Sequence, residues 1–195
     1  MNGKYHKPEM RILGIDDSPL VSKEVLVVGA VMRGGGWLHG LRSTHVEKDG
    51  MDATGRLATM ITESRNYGQI RVAMLNGVTF GGFNVVDIEA LHHRTGMPVI
   101  VITRRPPDME SICRALENLS EPGMRYEAML KAGEVHEVQT KWRGGPVYFQ
   151  CNGIDKEDAA RLIVDTAVHS RLPEPLRVAH IIATGIVLGE SRRRA

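Results

Sequence analysis

The period of hydrophobic and polar positions changes several times along the chain, and each change marks an element. Residues 10–16 (MRILGID) form a short apolar run that stops at the turn signal Asp17-Ser18-Pro19, which predicts a first strand. A continuous β-branched run over 24–32 predicts a second strand, and after Gly34-Gly35-Gly36 a looser alternation over 40–47 predicts a third. With no helix between them, the three read as an antiparallel meander. The period then becomes helical. Asp52 stands before Ala53, Leu57, Met60 and Ile61, which share one helix face, and this pattern ends near Tyr67-Gly68. Residues 70–75 predict a fourth strand, 85–94 a second helix stopped by Gly96, and 98–103 a fifth strand, the order of parallel crossover units. Beyond Pro106-Pro107, the residues Met109, Ile112, Cys113, Leu116 and Leu119 mark another apolar helix face, with Cys113 in the core. A short helix over 125–131 is followed by strand-like 135–140 and 147–151, a late hairpin around Trp142-Arg143-Gly144-Gly145. The last strong helix starts around Asp155, carries Ala159, Leu162, Ile163 and Thr166, and ends before Leu172-Pro173-Glu174-Pro175.

Composition narrows the class. The 195 residues suit one domain, and 42% apolar with 25% charged residues is an ordinary globular composition that disfavours disorder, collagen and coiled coil. A formal net charge of +2 is too mild to indicate nucleic-acid or membrane binding by itself, although Arg192-Arg193-Arg194 makes a local basic tail. Cys113 and Cys151 are too few for a disulfide framework or a four-thiolate zinc site, so a reducing cytoplasm is expected. The longest apolar runs, 25–32 and 97–102, are far shorter than the roughly 20 residues that span a bilayer.

Three antiparallel strands followed by helix, strand, helix, strand is the element order of the α/β ribonuclease H-like architecture, a mixed sheet with flanking helices. Open α/β sheets bind ligands beyond the carboxyl ends of their parallel strands. Asp16, Asp17 and Asn76-Gly77 converge there in this topology. A hard cation such as Mg²⁺ (or Mn²⁺) wants oxygen ligands, which makes Asp16 the first metal-ligand candidate, against a plain turn role. Asp49 and Asp52, at the junction of the third strand and first helix, are further metal candidates; the competing readings are a tight turn for Asp49 and a helix cap for Asp52. The loop Asn76-Gly77-Val78-Thr79-Phe80-Gly81-Gly82-Phe83-Asn84 is glycine-rich without the lysine of a Walker loop. It can approach a base or phosphate, so Thr79, Phe80, Gly81, Gly82, Phe83 and Asn84 are nucleic-acid-binding candidates. Phe80 or Phe83 could stack on an extruded base, against tucking under its own loop. Arg104 and Arg105 end the fifth strand at the same edge, where a cation suits a phosphate.

The motifs Gly14-Ile15-Asp16-Asp17-Ser18-Pro19, Asp49-Gly50-Met51-Asp52-Ala53-Thr54 and the 75–88 stretch around Asn76 resemble the archaeal endonuclease dU family, which is related to endonuclease V. The resemblance covers nearly the whole chain and implies a single endonuclease V-like domain over 1–195, a Mg²⁺-dependent cut in DNA at a deaminated base, and deoxyuridine as that base. Residues 171–180 (RLPEPLRVAH) strengthen the likeness to endonuclease V. By the same resemblance, Asp16 matches a metal-binding aspartate and Arg104 matches a lysine at the end of the fifth strand. Asn76 stands where endonuclease V has an aspartate, and Asn152 at an acidic or histidine position; Asp16, Asn76, Arg104 and Asn152 are the expected catalytic set. The two asparagines also favour a rival reading, a non-catalytic nucleic-acid-binding module on the same fold. A small-ligand or nucleotide-binding protein using the glycine-rich loop is a third.

Overall fold

The computed structural model describes residues 9–191. Three strands follow one another directly: β1 (Arg11–Asp17), β2 (Glu24–Arg33) and β3 (Trp37–Glu47), each antiparallel to the last. After α1 (Ala53–Thr62), β4 (Ile70–Asn76) lies parallel to β1. A two-strand ribbon, β5 (Thr79–Phe80) with β6 (Asn84–Val85), leads into α2 (Ile88–Thr95), and β7 (Val99–Thr103) lies parallel to β4. Next come α3 (Met109–Leu116), α4 (Pro122–Leu130), β8 (His136–Val138), β9 (Val147–Asn152), α5 (Lys156–Thr166) and α6 (Glu174–Leu188). The seven main strands form one sheet in the order β3-β2-β1-β4-β7-β9-β8, with β9 antiparallel to β7.

The two-residue period of the strands sorts the core onto two faces. Leu13, Ile15, Ala73, Leu75, Val99 and Val101 face α1 and α2 and pack with Leu57, Ile61, Ile88 and Leu91. Their neighbours Ile12, Val72, Met74, Ile100 and Ile102 face the other way, against Leu162 and Ile163 of α5 and Leu176 of α6. Farther along, α6 covers β2, with Ala179 and Ala183 on Val28 and Ala30.

Helix ends follow local chemistry. The Asp87 carboxylate accepts from the Ala90 amide to cap α2, and Gly96 (φ 61°) ends that helix in the left-handed conformation. Asp52 occupies the N-cap position of α1, yet its side chain makes no capping bond; the Asn84 carbonyl oxygen accepts from Ala53 N instead, at 2.9 Å. The second helix begins at Ile88 rather than 85 because Asn84 and Val85 are taken into the ribbon.

Two expectations are corrected. The apolar face of α3, expected in the core, buries only Leu116; Ile112 and Leu119 pack on a satellite cluster with Val85 and Met129, and Cys113 is half-buried. A fifteen-residue helix, α6, also starts within Leu172-Pro173-Glu174-Pro175, beyond the helix that the pattern predicts as the last. Pro173 precedes α6 and Pro175 falls in its first turn, where an amide hydrogen has no intrahelical acceptor to lose. The fit on the sheet is close: a Cβ at Gly14 would stand 2.2 Å from the Pro175 carbonyl carbon, so only glycine lets this turn rest on β1.

Candidate active site

Parallel pairing of β1, β4 and β7 brings their carboxyl ends to one edge, with Leu75 beside Ile15 and Asn76 beside Ile102. Asp16, Asp17, Asn76 and Arg104 therefore gather there. Asp16 is buried, and its Oδ1 accepts from Asp17 N at 3.0 Å. Its Oδ2 stands 2.8 Å from His180 Nδ1, carried in by α6. With Asp16 ionised, that nitrogen is the donor, so the neutral ring carries its lone pair on Nε2, which is buried and without a hydrogen-bond partner.

Asp17 turns its Oδ2 to Gly81 N at 2.7 Å. Burial and then the charge of Asp16 push its pKa up to about 6, against the opposing pull of the Gly81 amide. Two carboxylates thus share a partly desolvated edge, with His180 beside Asp16 and the Arg104 charge within electrostatic reach of it, and the raised Asp17 pKa marks a setting that a further cation would relieve. Among the described residues no three His, Cys, Asp or Glu side chains converge as a ready-made ligand cluster. That argues against a closed structural zinc site, whereas Mg²⁺ is commonly held by one or two carboxylates with water and substrate oxygens filling the octahedron. The donor types present suit a hard divalent ion.

Asp49 and Asp52 sit nearby but are occupied in building the loops. Asp49 (φ 53°) donates its amide to Gly81 O at 2.8 Å and accepts from Phe83 N at 2.9 Å. A Cβ on Gly82 would lie 2.3 Å from Asp49 Oδ1, so the glycine makes room for that carboxylate. The Asp52 carboxylate accepts from Asn84 Nδ2 at 2.7 Å, Glu47 N at 3.1 Å and Arg56 Nε at 3.1 Å. Although burial works the other way, these bonds hold Asp52 below the ordinary carboxylate range. Arg125, fully buried on α4, clamps both loops by donating to the carbonyls of Asp49, Gly50 and Phe83 and to that of Ser120.

Several candidates are displaced by this arrangement. Phe80 is wholly buried in the main core and offers no face to a base. Asn84 is wholly buried too, its amide spent on Ala53, Glu47 and Asp52. Phe83 packs partly onto the satellite cluster, which leaves Thr79, Gly82 and Phe83 as the half-exposed part of the loop, while Gly81 is buried against Asp17. Asn152 pairs with Val99 whereas Tyr148 pairs with Thr103, so Asn152 lies at the far end of β7 from Arg104, roughly 16 Å along the strand. It does not join the edge where Asp16 stands. Arg105 is exposed just beyond β7, and Arg192 to Arg194 lie outside the described residues.

His180, in contact with Asp16, is not among the residues that the sequence motifs bring to this edge. Its signal was present in the 171–180 stretch, but without a helix there nothing carried it to Asp16.

The seven-strand mixed sheet with flanking helices is a ribonuclease H-like fold, and its acidic pair stands at the carboxyl end of β1, one of the three parallel strands. Endonuclease V from Ciona intestinalis, solved with a 24mer DNA containing an inosine followed by a ribo-adenosine, superposes with a TM-score of 0.62 at 11% identity, over 92% of this chain and 87% of that one. The family model described as endonuclease dU matches residues 8–187, and the chain belongs to that family. A UPF0215 protein of Methanosarcina acetivorans is 51% identical over the full length of both chains. The crystal structure of a protein of unknown function from Archaeoglobus fulgidus matches with a TM-score of 0.83 at 38% identity, covering 91% of this chain and 98% of that one. Among the described residues no helix is long and apolar enough to cross a membrane.

Proposed function

We propose that the chain is a Mg²⁺- or Mn²⁺-dependent endonuclease that cleaves DNA at or near a deaminated base, with deoxyuridine preferred. The observation that carries this reading is the partly desolvated Asp16–Asp17 pair beside His180 and Arg104 at the carboxyl edge of the parallel strands. Asp16 and Asp17 would hold the ion, and Asn76 would orient a water through its side-chain carbonyl. When bound, such an ion lowers the pKa of a water and offsets charge on a phosphoryl oxygen. His180, its Nδ1–H fixed by Asp16, would take the proton of the attacking water on Nε2 as the ester P–O bond to one sugar oxygen breaks, and that oxygen departs with a proton from solvent. Arg104 sets its guanidinium against the charge that develops on the phosphate. Asp49 and Asp52 fix the loops, Asp49 Oδ1 accepting from Phe83 N and the Asp52 oxygens from Glu47 N, Asn84 Nδ2 and Arg56 Nε.

Base recognition falls to the half-exposed loop around Gly77, Thr79 and Gly82, because a deaminated base in a mismatch leaves the stack at lower cost than a paired one. The family description supports deoxyuridine, and the inosine in the Ciona endonuclease V complex is another deaminated base. The test is cleavage of labelled single- and double-stranded DNA carrying one deoxyuridine, deoxyinosine or normal base, in Mg²⁺, Mn²⁺ or EDTA. Metal-dependent nicking at deoxyuridine is expected. Equal cutting of normal DNA would remove the lesion specificity. Asn76 and the lack of a three-ligand cluster among the described residues favour a second reading, a binding module, which would retard DNA in EDTA and never nick it.

A further inference from the structure

Arg104 and Arg171 stand near enough at the site edge for the charge of Arg171 to act on Arg104, and among the described residues the one acid whose charge reaches Arg104 is Asp16. Arg104 follows β7, and its Nη2 is buried without a hydrogen-bond partner. Burial and the nearby charge of Arg171 lower its proton affinity, with Asp16 opposing. Arg171, in the segment between α5 and α6, donates through Nη1 to the Gly144 carbonyl. Gly144 belongs to the turn joining β8 and β9. Because Thr103 pairs with Tyr148 and Val138 with Val147, this turn rises beside Arg104. Gly144 (φ 114°) and Gly145 (φ 88°) let the backbone wrap the side chain, and a Cβ on Gly144 would stand 3.4 Å from Arg171 Cδ. Among the described residues neither arginine is ion-paired to Asp or Glu. Like charges held together with a buried donor to spare are short of one component, an anion with several acceptor oxygens.

We propose that Arg104 and Arg171 form a two-guanidinium cradle for a phosphate group. Resting on the nuclease reading, the phosphate is one in the backbone of the substrate strand, next to the Asp16 edge. The same turn carries exposed Lys141 and Arg143 on either side of Trp142, whose indole N–H donates to Ala167 O at 2.9 Å. These residues continue a cationic track away from the cradle, suited to a strand more than to a free ion.

The experiment is fluorescence anisotropy of a labelled deoxyuridine oligonucleotide in EDTA across a salt series, together with melting of the protein in inorganic phosphate. Arg171→Gln should weaken oligonucleotide binding at least about fivefold and reduce the log–log salt slope by about 0.7 to 0.9, the loss of one phosphate contact. Arg171→Lys should keep the slope while losing affinity, since an ammonium cannot donate in a fork. Arg104→Gln reads the same slope if Arg171→Gln disturbs the turn. Suppose instead that the wild type binds no oligonucleotide, yet phosphate raises its melting temperature and neither glutamine variant responds. The cradle then stands with free phosphate as its source, and the nuclease reading fails. Affinity, slope and phosphate response all unchanged in the folded variants would overturn the cradle.

Discussion

Asp17 is a carboxylate that the fold keeps against its preference, and its titration is a direct probe of the site. Its folded pKa of about 6 lies above the ordinary 3.8, so the folded protein holds a proton that the unfolded chain has already released between those values. Stability from this group is present at low pH and is lost as pH rises through 6. In metal-free buffer, Asp17→Asn, which keeps an oxygen for the Gly81 amide, should raise the melting temperature by about 3 °C at pH 7.5. The gain should vanish near pH 4 in a thermal-melting series; a constant gain would mean that Asp17 is not the titrating group. At this scale the sequence was partly legible. Asp16 and Arg104 could be placed at the carboxyl edge because each stands at the end of an apolar strand. Phe80 and Asn84 misled because a glycine-rich loop reads as an exposed one, whereas this loop is pinned under Asp49 and Arg125 and sends both side chains inward.

Elements carry the residues to one another, and α6 matters most here. It seats on β1 only because Gly14 leaves room for Pro175. Gly14→Ala should therefore cost at least about 2 kcal/mol in urea denaturation, from backbone overpacking, and should separate His180 from Asp16 with loss of cleavage. A variant as stable and as active as the wild type would contradict that packing. The helix itself was hidden because paired prolines read as a stop unless they fall in a first turn. Arg125 is the corresponding device on the other side. Replacing it by methionine keeps bulk but strands the carbonyls of Asp49, Gly50 and Phe83, so Arg125→Met should lose about 3 to 5 kcal/mol in the same assay. Strand positions were read well from period and β-branching, since both sheet faces are covered and register is fixed by burial. The α3 face was misplaced because periodicity reports that a face is covered, not by which cluster.

Across the whole molecule, one sheet edge collects a carboxylate pair, an imidazole aimed from a helix, and two arginines, while the other end of β7 holds Asn152 alone of the expected catalytic residues. The charge that matters is therefore local, which is why a net charge of +2 carried so little information about partners. Long-range placement was legible only through the order of elements and the family resemblance; the final residue of the set lies 164 positions from Asp16 and needed the folded chain to be found. Metal-dependent strand cleavage organised by Asp16 is the core of the proposed function. Its most direct test is a time course of nicking on a duplex with a single deoxyuridine in Mg²⁺, comparing wild type with Asp16→Ala at matched circular dichroism. The prediction is nicking at the lesion by the wild type that EDTA abolishes, and no detectable nicking by the folded variant. Undiminished cleavage by Asp16→Ala, or wild-type cleavage that survives EDTA, would contradict it.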